Sequence, residues 1–153
     1  MMKKIAMVAA LLVSSSCFAS ETPLEVVQHY MGAWNQHNAH KAGTYLAKDV
    51  TYYDAAVGTP VKGNSDAEKN VIKAFIDGVP DLKWQMVGKP VYNHDIVAFE
   101  WVFSGVNSGE WAGSPATHKP IKFHGVSYIK VKDGKIAYQG DYYDSKKLDE
   151  QLK

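Results

Sequence analysis

Asp54 and Asp141 are the residues with which chemistry would begin. Each closes a run of alternating aromatic and polar side chains, Val50-Thr51-Tyr52-Tyr53-Asp54 and Tyr138-Gln139-Gly140-Asp141-Tyr142-Tyr143. Side chains two apart share one face of a strand, so Tyr52 accompanies Asp54, and Gln139 and Tyr143 accompany Asp141. On a face turned to a core, Asp141 is a carboxylate in low dielectric, its pKa pushed upward toward the range of a general acid or base. On a face turned to water it is an ordinary surface aspartate. Asp54 has its own alternative, as the cap of the turn Ala55-Ala56-Val57-Gly58. If both acids enter one aromatic pocket, they raise each other's pKa and divide the roles of proton donor and acceptor.

The elements that must position these acids can be read in order. Ile121 to Asp144 forms two long strands joined at Asp133-Gly134, since Asp-Gly between alternating apolar runs is a strong hairpin signal. Upstream, Thr22-Pro23-Leu24-Glu25 is a capping box with proline at the first helical position, followed by Leu24, Val27, Tyr30 or Met31, and Trp34 at helical spacing. A short helix over His40 to Leu46 leads into a strand at Val50 to Asp54. Ser65-Asp66-Ala67-Glu68 reads as a second capping box, before a helical face of Val71, Ile72, Phe75 and Ile76 that Gly78 and Pro80 stop.

From Asp81 the period becomes two. Leu82, Trp84 and Met86, then Phe99, Trp101 and Phe103, each make one aromatic face. Residues 107–120 form a Gly-, Ser- and Pro-rich loop, and Ser145 to Leu152 a short charged helix or tail. Helices first and long antiparallel strands after them predict an α+β domain: a curved, mostly antiparallel sheet whose concave face is covered by the N-terminal helices and wraps a cone-shaped pocket. The register sends Tyr52, Asp54, Phe99, Trp101, Phe123, Gly125, Ser127, Asp141 and Tyr143 into the cone. Trp34, Trp84 and Gln139 complete the expected lining.

Residues 1–19, MMKKIAMVAALLVSSSCFA, have two lysines, an apolar run from Ile5 to Val13 and a small residue, Ala19. These are the parts of a secretory signal peptide, too short for a permanent bilayer span. The reading is cleavage after Ala19, a single domain over 20–153, and a secreted or periplasmic protein without an integral membrane segment. A lipoprotein anchored at Cys17 is the alternative. Cleavage removes the one cysteine, and with it thiol and disulfide chemistry. Losing Lys3 and Lys4 takes the formal charge from +1 to −1, and a chain with no basic excess is a poor partner for nucleic acid or anionic membrane. The six histidines offer no third ligand at metal-site spacing, and no phosphate loop, nucleophile elbow or dinucleotide fingerprint is present. Neither metal nor cofactor is therefore expected.

Three stretches, LAKDVTYYDAAVG at 46–58, FSGVNSGEWAGSPATHKPI at 103–121, and DGKIAYQGDYYD with the tail at 148–152, resemble the nuclear transport factor 2-like superfamily. Within it the chain is similar to the SnoaL-like polyketide cyclases, with weaker likeness to limonene epoxide hydrolases and ketosteroid isomerases. The resemblance spans the whole mature chain. It implies that Asp141 matches the catalytic acid of the cyclases and hydrolases, that Asp54 matches the proton-shuttling base of the isomerases, and that Tyr30 matches their oxyanion-hole tyrosine; the bland reading of Tyr30 is a core aromatic. The isomerases' second oxyanion acid and the cyclases' histidine both fall on Ser127. The arginine before the hydrolases' acid is Gly140 here, and their Tyr and Asn fall on Tyr52 and Asp54.

Two functions follow as expectations. One is a cofactor-free enzyme for a small hydrophobic carbonyl, lactone or epoxide compound, with Asp141 moving the proton, Asp54 assisting, and Tyr30 or Tyr52 donating to the oxyanion. The other is a binding module for a small apolar ligand, or a structural dimer domain with a vestigial cavity. A homodimer is expected across the open sheet face, where Glu100, Val102, His124 and Tyr128 leave a mixed surface.

Overall fold

The computed structural model describes residues 21–153. The proposed signal peptide at 1–19 and its cleavage point lie outside them.

Helix α1 (Pro23–Asn35) starts on the expected capping box, with the Thr22 side chain accepting from the Glu25 N–H and the Glu25 carboxylate accepting in return from the Thr22 N–H at 2.7 Å. Its buried face carries Val26, Val27, Tyr30, Met31, Ala33 and Trp34. The last turn is tied to the sheet by Asn35, whose Nδ2 donates to the Trp84 carbonyl at 2.8 Å while its Oδ1 accepts from the Trp84 N–H at 2.8 Å. This clamp holds Trp34 against Trp84, ring centroids 5.4 Å apart.

Helix α2 (Ala39–Gly43) is shorter than the expected span to Leu46. Thr44 turns its hydroxyl back onto the Lys41 carbonyl, and Leu46 instead pairs with Ile136, so strand β1 (Leu46–Asp54) begins four residues before Val50. A short β2 (Val61–Lys62) follows. The next helical segment runs through α3 (Asn64–Ala67), a π-helical turn at Glu68–Ile72, and α4 (Lys73–Gly78). Its N-cap is Gly63, not Ser65, and no side chain caps it; the predicted box lies inside the helix. The apolar face of Val71, Ile72, Phe75 and Ile76 is buried as expected.

Strands β3 (Lys83–Tyr92), β4 (Ile96–Val106), β5 (Pro120–Lys132) and β6 (Lys135–Tyr143) complete the sheet, and α5 (Ser145–Leu152) closes the chain. The order is β2-β1-β6-β5-β4-β3, antiparallel except for the β1–β6 pair. The β5–β6 hairpin turns at Asp133 and Gly134, both at positive φ (51° and 71°), as a two-residue turn matching strand twist requires. Register irregularities in β1, β3 and the β5–β6 pair bend the sheet. The fold is the predicted α+β architecture, a curved, open, mostly antiparallel sheet with helices on its concave side.

Candidate active site: two acids in an aromatic cone

The parallel pairing of β1 with β6 sets Asp54 directly beside Asp141. The expected inward row is real: Tyr52, Asp54, Ser127, Gln139 and Asp141 are all buried, Ser127 and Gln139 completely. Around the acids lie Trp34, Phe75, Trp84, Trp101, Phe103, Phe123 and Tyr143, which with Tyr52, Asp54 and Asp141 enclose a cavity of ≈ 20 Å³. That is room for about one water.

Asp141 is held by three neighbours. Its Oδ1 accepts from the Ser127 hydroxyl at 2.5 Å, its Oδ2 accepts from the Tyr52 hydroxyl at 2.8 Å, and Gln139 Nε2 donates to Oδ2 at 2.9 Å. The network continues outward, since Trp101 Nε1 donates to Ser127 Oγ and Gln139 Nε2 to the Tyr52 oxygen, each at 2.8 Å. Trp101 reaches Ser127 because its partner on β5 is Gly125, where a Cβ would collide with the indole. Burial raises the Asp141 pKa to about 7, the neighbouring charge of Asp54 adds to the rise, and the three hydrogen bonds oppose it.

Asp54 is built differently. Its Oδ1 accepts from the backbone N–H groups of Ala56 (2.9 Å) and Val57 (3.2 Å) and from the Tyr143 hydroxyl (2.9 Å). The turn-capping role and the pocket role therefore coexist in one side chain. All of these bonds fall on Oδ1; among the described residues none reaches Oδ2, so one oxygen anchors the group and the other is free. Burial raises this pKa too, against the bonds from Tyr143, Ala56 and Val57. No lysine, arginine or histidine lines the cavity, so neither carboxylate has a cationic partner there.

The expected residues divide into layers. Trp34, Tyr52, Trp84, Trp101 and Tyr143 line the cavity with the two acids. Phe99, Ser127 and Gln139 do not: Phe99 backs Trp84 at 6.1 Å, and Ser127 and Gln139 stand behind Asp141 as its hydrogen-bond donors. Tyr30 is also one layer back. It is fully buried and packed edge-on against Trp34 and Trp84, its hydroxyl faces Tyr52, Trp34 and Gln139 without a hydrogen bond to any, and burial raises its pKa. Phe75 was outside the expected lining; its place on the apolar face of α4 is the signal that points inward. Phe103 and Phe123, lining as well, belong to the same alternating rows as Trp101 and Ser127.

The sequence profile of the SnoaL-like polyketide cyclase family matches residues 24–152. Among solved structures, a protein of ketosteroid isomerase-like fold from Catenulispora acidiphila, solved with trimethylamine, is 25% identical over 86% of this chain and 94% of its own, with a TM-score of 0.70. IdmH from Streptomyces antibioticus, described as a candidate polyketide cyclase, is 22% identical over 86% of this chain and 99% of its own, TM-score 0.70. TsrD from Streptomyces laurentii is 22% identical over 84% and 92%, TM-score 0.70. These likenesses carry the fold. Among curated proteins none matches. No helix among the described residues is long and apolar enough to cross a membrane.

Proposed function

The chain belongs to the SnoaL-like polyketide cyclase family, and from that premise we propose that it is a cofactor-independent acid/base enzyme acting on a small hydrophobic carbonyl compound. The observation that carries the reading is the pair of buried carboxylates, side by side on β1 and β6, with no cationic side chain in the cavity lining. Desolvating a carboxylate without a counter-charge costs several kcal/mol, which a purely structural site would shed by using neutral residues. The expectation that Asp141 moves the proton with Asp54 assisting is reversed in this proposal: Asp54 is the base and Asp141 acts through Tyr52. Asp54 Oδ2, free of hydrogen bonds, takes a proton from the carbon beside the carbonyl, and the electron pair moves onto the carbonyl oxygen. The 2.8 Å bond runs from the Tyr52 hydroxyl to Asp141 Oδ2 while Asp141 is ionised. With Asp141 protonated, below about pH 7, it reverses, Oδ2–H donating to the Tyr52 oxygen and the Tyr52 hydroxyl turning to the developing oxyanion. Asp54 then returns its proton to another carbon of the same enolate, which shifts the double bond and completes an isomerisation. In a ring closure the enolate carbon instead bonds to a second carbonyl carbon of the substrate, and Asp54 gives the proton to the oxygen of that carbonyl.

Asp54→Asn tests this. It keeps an oxygen for Ala56, Val57 and Tyr143 but has no basic atom, so turnover should fall by about 10²- to 10⁴-fold with the fold intact. Activity should depend on pH as a bell, its acid limb set by Asp54 above the ordinary carboxylate range and its basic limb near 7 by Asp141. Unchanged proton exchange in the variant removes Asp54 as the base. Binding without exchange in both wild type and variant would leave the second reading, a binding module for a small apolar ligand, which the full hydrogen-bonding of Asp141 favours.

We further propose that the protein acts outside the cytoplasm after removal of residues 1–19, whose lysines, apolar run and Ala19 support export, and that it is a homodimer. What supports the dimer is the open sheet face, where Val87, Val126 and Tyr142 are 41%, 43% and 48% exposed and follow one cross-strand row through Glu100.

A further inference from the structure

The inner cavity holds the acids but has no room for a substrate. A second cavity of ≈ 400 Å³ lies outside it, between the 107–117 loop and α5. Its volume falls in the range of about 300–1,000 Å³ typical of small-molecule sites, and among the described cavities of that size it is the one that shares a wall with the acids. Two contacts make the spaces neighbours. Ala56, on the outer wall, gives its N–H to Asp54 Oδ1. Trp111, also on the outer wall, stands against Phe75 of the inner wall with ring centroids 4.8 Å apart.

Trp111 is delivered to this place by a firm scaffold. It pairs with Ser114 across a tight turn in which Ala112 and Gly113 take positive φ. The loop is bolted at its base by buried Asn107, which donates to the Gly78 and Gly109 carbonyls and accepts from the N–H and hydroxyl of Thr117. Gly78 leaves the seat in which the indole lies, since a Cβ there would meet Trp111 at 2.8 Å. The backbone is thus pinned, and the indole is the part of the loop that stands between the two spaces.

Resting on the acid/base reading above, we propose that the outer cavity is the subsite for the body of the substrate, and that Trp111 with Phe75 is the ring partition that selects it. The substrate class is then a compact carbonyl end joined to an apolar body of one or two rings. The body lies against Leu152, Pro115 and Ala112, and the carbonyl passes the partition to Asp54. The outer wall is apolar where the body would rest, and its charged groups, Asp149 and Lys153, are on α5 and just past it.

The test uses three ketones with one reacting end and a growing body: butan-2-one, 4-phenylbutan-2-one and 4-(naphthalen-2-yl)butan-2-one. Binding is followed by tryptophan fluorescence or calorimetry, and deuterium exchange beside the carbonyl by NMR. The naphthyl ketone should bind the wild type about 100-fold more tightly than butan-2-one, from the apolar area its rings bury. Leu152→Lys puts a charge on the outer wall, and Ser114→Trp fills part of that space. Each should cut the naphthyl-to-butanone affinity ratio at least about tenfold, with a thermal midpoint near wild type showing that the fold holds. Equal affinity across the three ketones, or a ratio unmoved in both folded variants, overturns the subsite. Failure of the acid/base reading looks different: the naphthyl ketone still binds and still responds to Leu152→Lys, but no ketone exchanges, or exchange persists in Asp54→Asn.

Discussion

Replacing Asp141 by asparagine should make the protein more stable at pH 8 and should flatten its dependence on pH. The wild-type carboxyl titrates at about 7 in the fold, against an ordinary 3.8. Between those values the folded chain keeps a proton that the unfolded chain has released, so stability is fullest below the unfolded pKa and is lost as pH rises through the folded one. The difference of about three units, at about 1.4 kcal/mol each, sets a ceiling of about 4 kcal/mol. Asp54 is raised as well, so its contribution has the same sign. Asparagine carries no charge at either end of the range and can still accept from Tyr52 or Gln139, at the cost of one reversed hydrogen bond with Ser127, about 1 kcal/mol. The variant should therefore be slightly weaker than wild type at pH 4.5 and stronger by about 2–3 kcal/mol at pH 8. Urea unfolding followed by tryptophan fluorescence at half-unit steps of pH reads both curves, and the difference between them cancels the titrating groups that are not coupled to Asp141, leaving Asp141 and its interaction with Asp54. A difference curve that is flat, or that falls with rising pH, refutes the uncompensated buried carboxylate.

Ser127→Ala should strand Trp101 Nε1 and remove the donor to Asp141 Oδ1, costing about 1–3 kcal/mol. It should also move the basic limb of the pH–rate profile upward, because one bond that lowers the Asp141 pKa is gone; a limb that stays or moves down contradicts this. Val126→Lys puts a charge at the centre of the row Val87-Glu100-Val126-Tyr142. Sedimentation at micromolar concentration should show a dimer for wild type and a monomer for the variant, and a wild-type monomer would remove the proposed interface.

Most of the fold was legible because the chain states its periods cleanly. The alternation in β4, β5 and β6 fixed which side chains face inward, and Asp133-Gly134 located the hairpin. What escaped depended on partners far along the chain. Leu46 becomes a strand residue because Ile136 waits for it, and no local signal at 43–46 announces that pairing. Ser65 looks like a cap, but Gly63 supplies the turn into the helix and the π-helical turn then shifts the residues that follow. In the site, type and face were readable while depth was not. Tyr30, Gln139 and Ser127 sit on inward faces and yet behind the wall, because how far a side chain reaches depends on the rings packed in front of it. The loop at 107–120 was legible only as a loop; its bolt at Asn107 joins residues 29 apart.

Gly125 imposes an order on the history of this site. Trp101 lies over the Cα of Gly125 and from there donates to Ser127, which in turn donates to Asp141. With any side chain at 125 the indole has no seat, so a tryptophan at 101 is acceptable only after the glycine is in place. Alanine at 125 would be harmful beside Trp101 and would stay so after the indole had gone, because the same Cβ also meets the Tyr142 carbonyl oxygen, on the backbone of β6, at 2.8 Å. The glycine is thus demanded by the sheet as well as by the indole, and a tryptophan at 101 can be gained in one step on a sheet that already carries it. Redesign of the cone meets a one-way constraint: Trp101 can be replaced while Gly125 stays, but position 125 is not freed by removing Trp101.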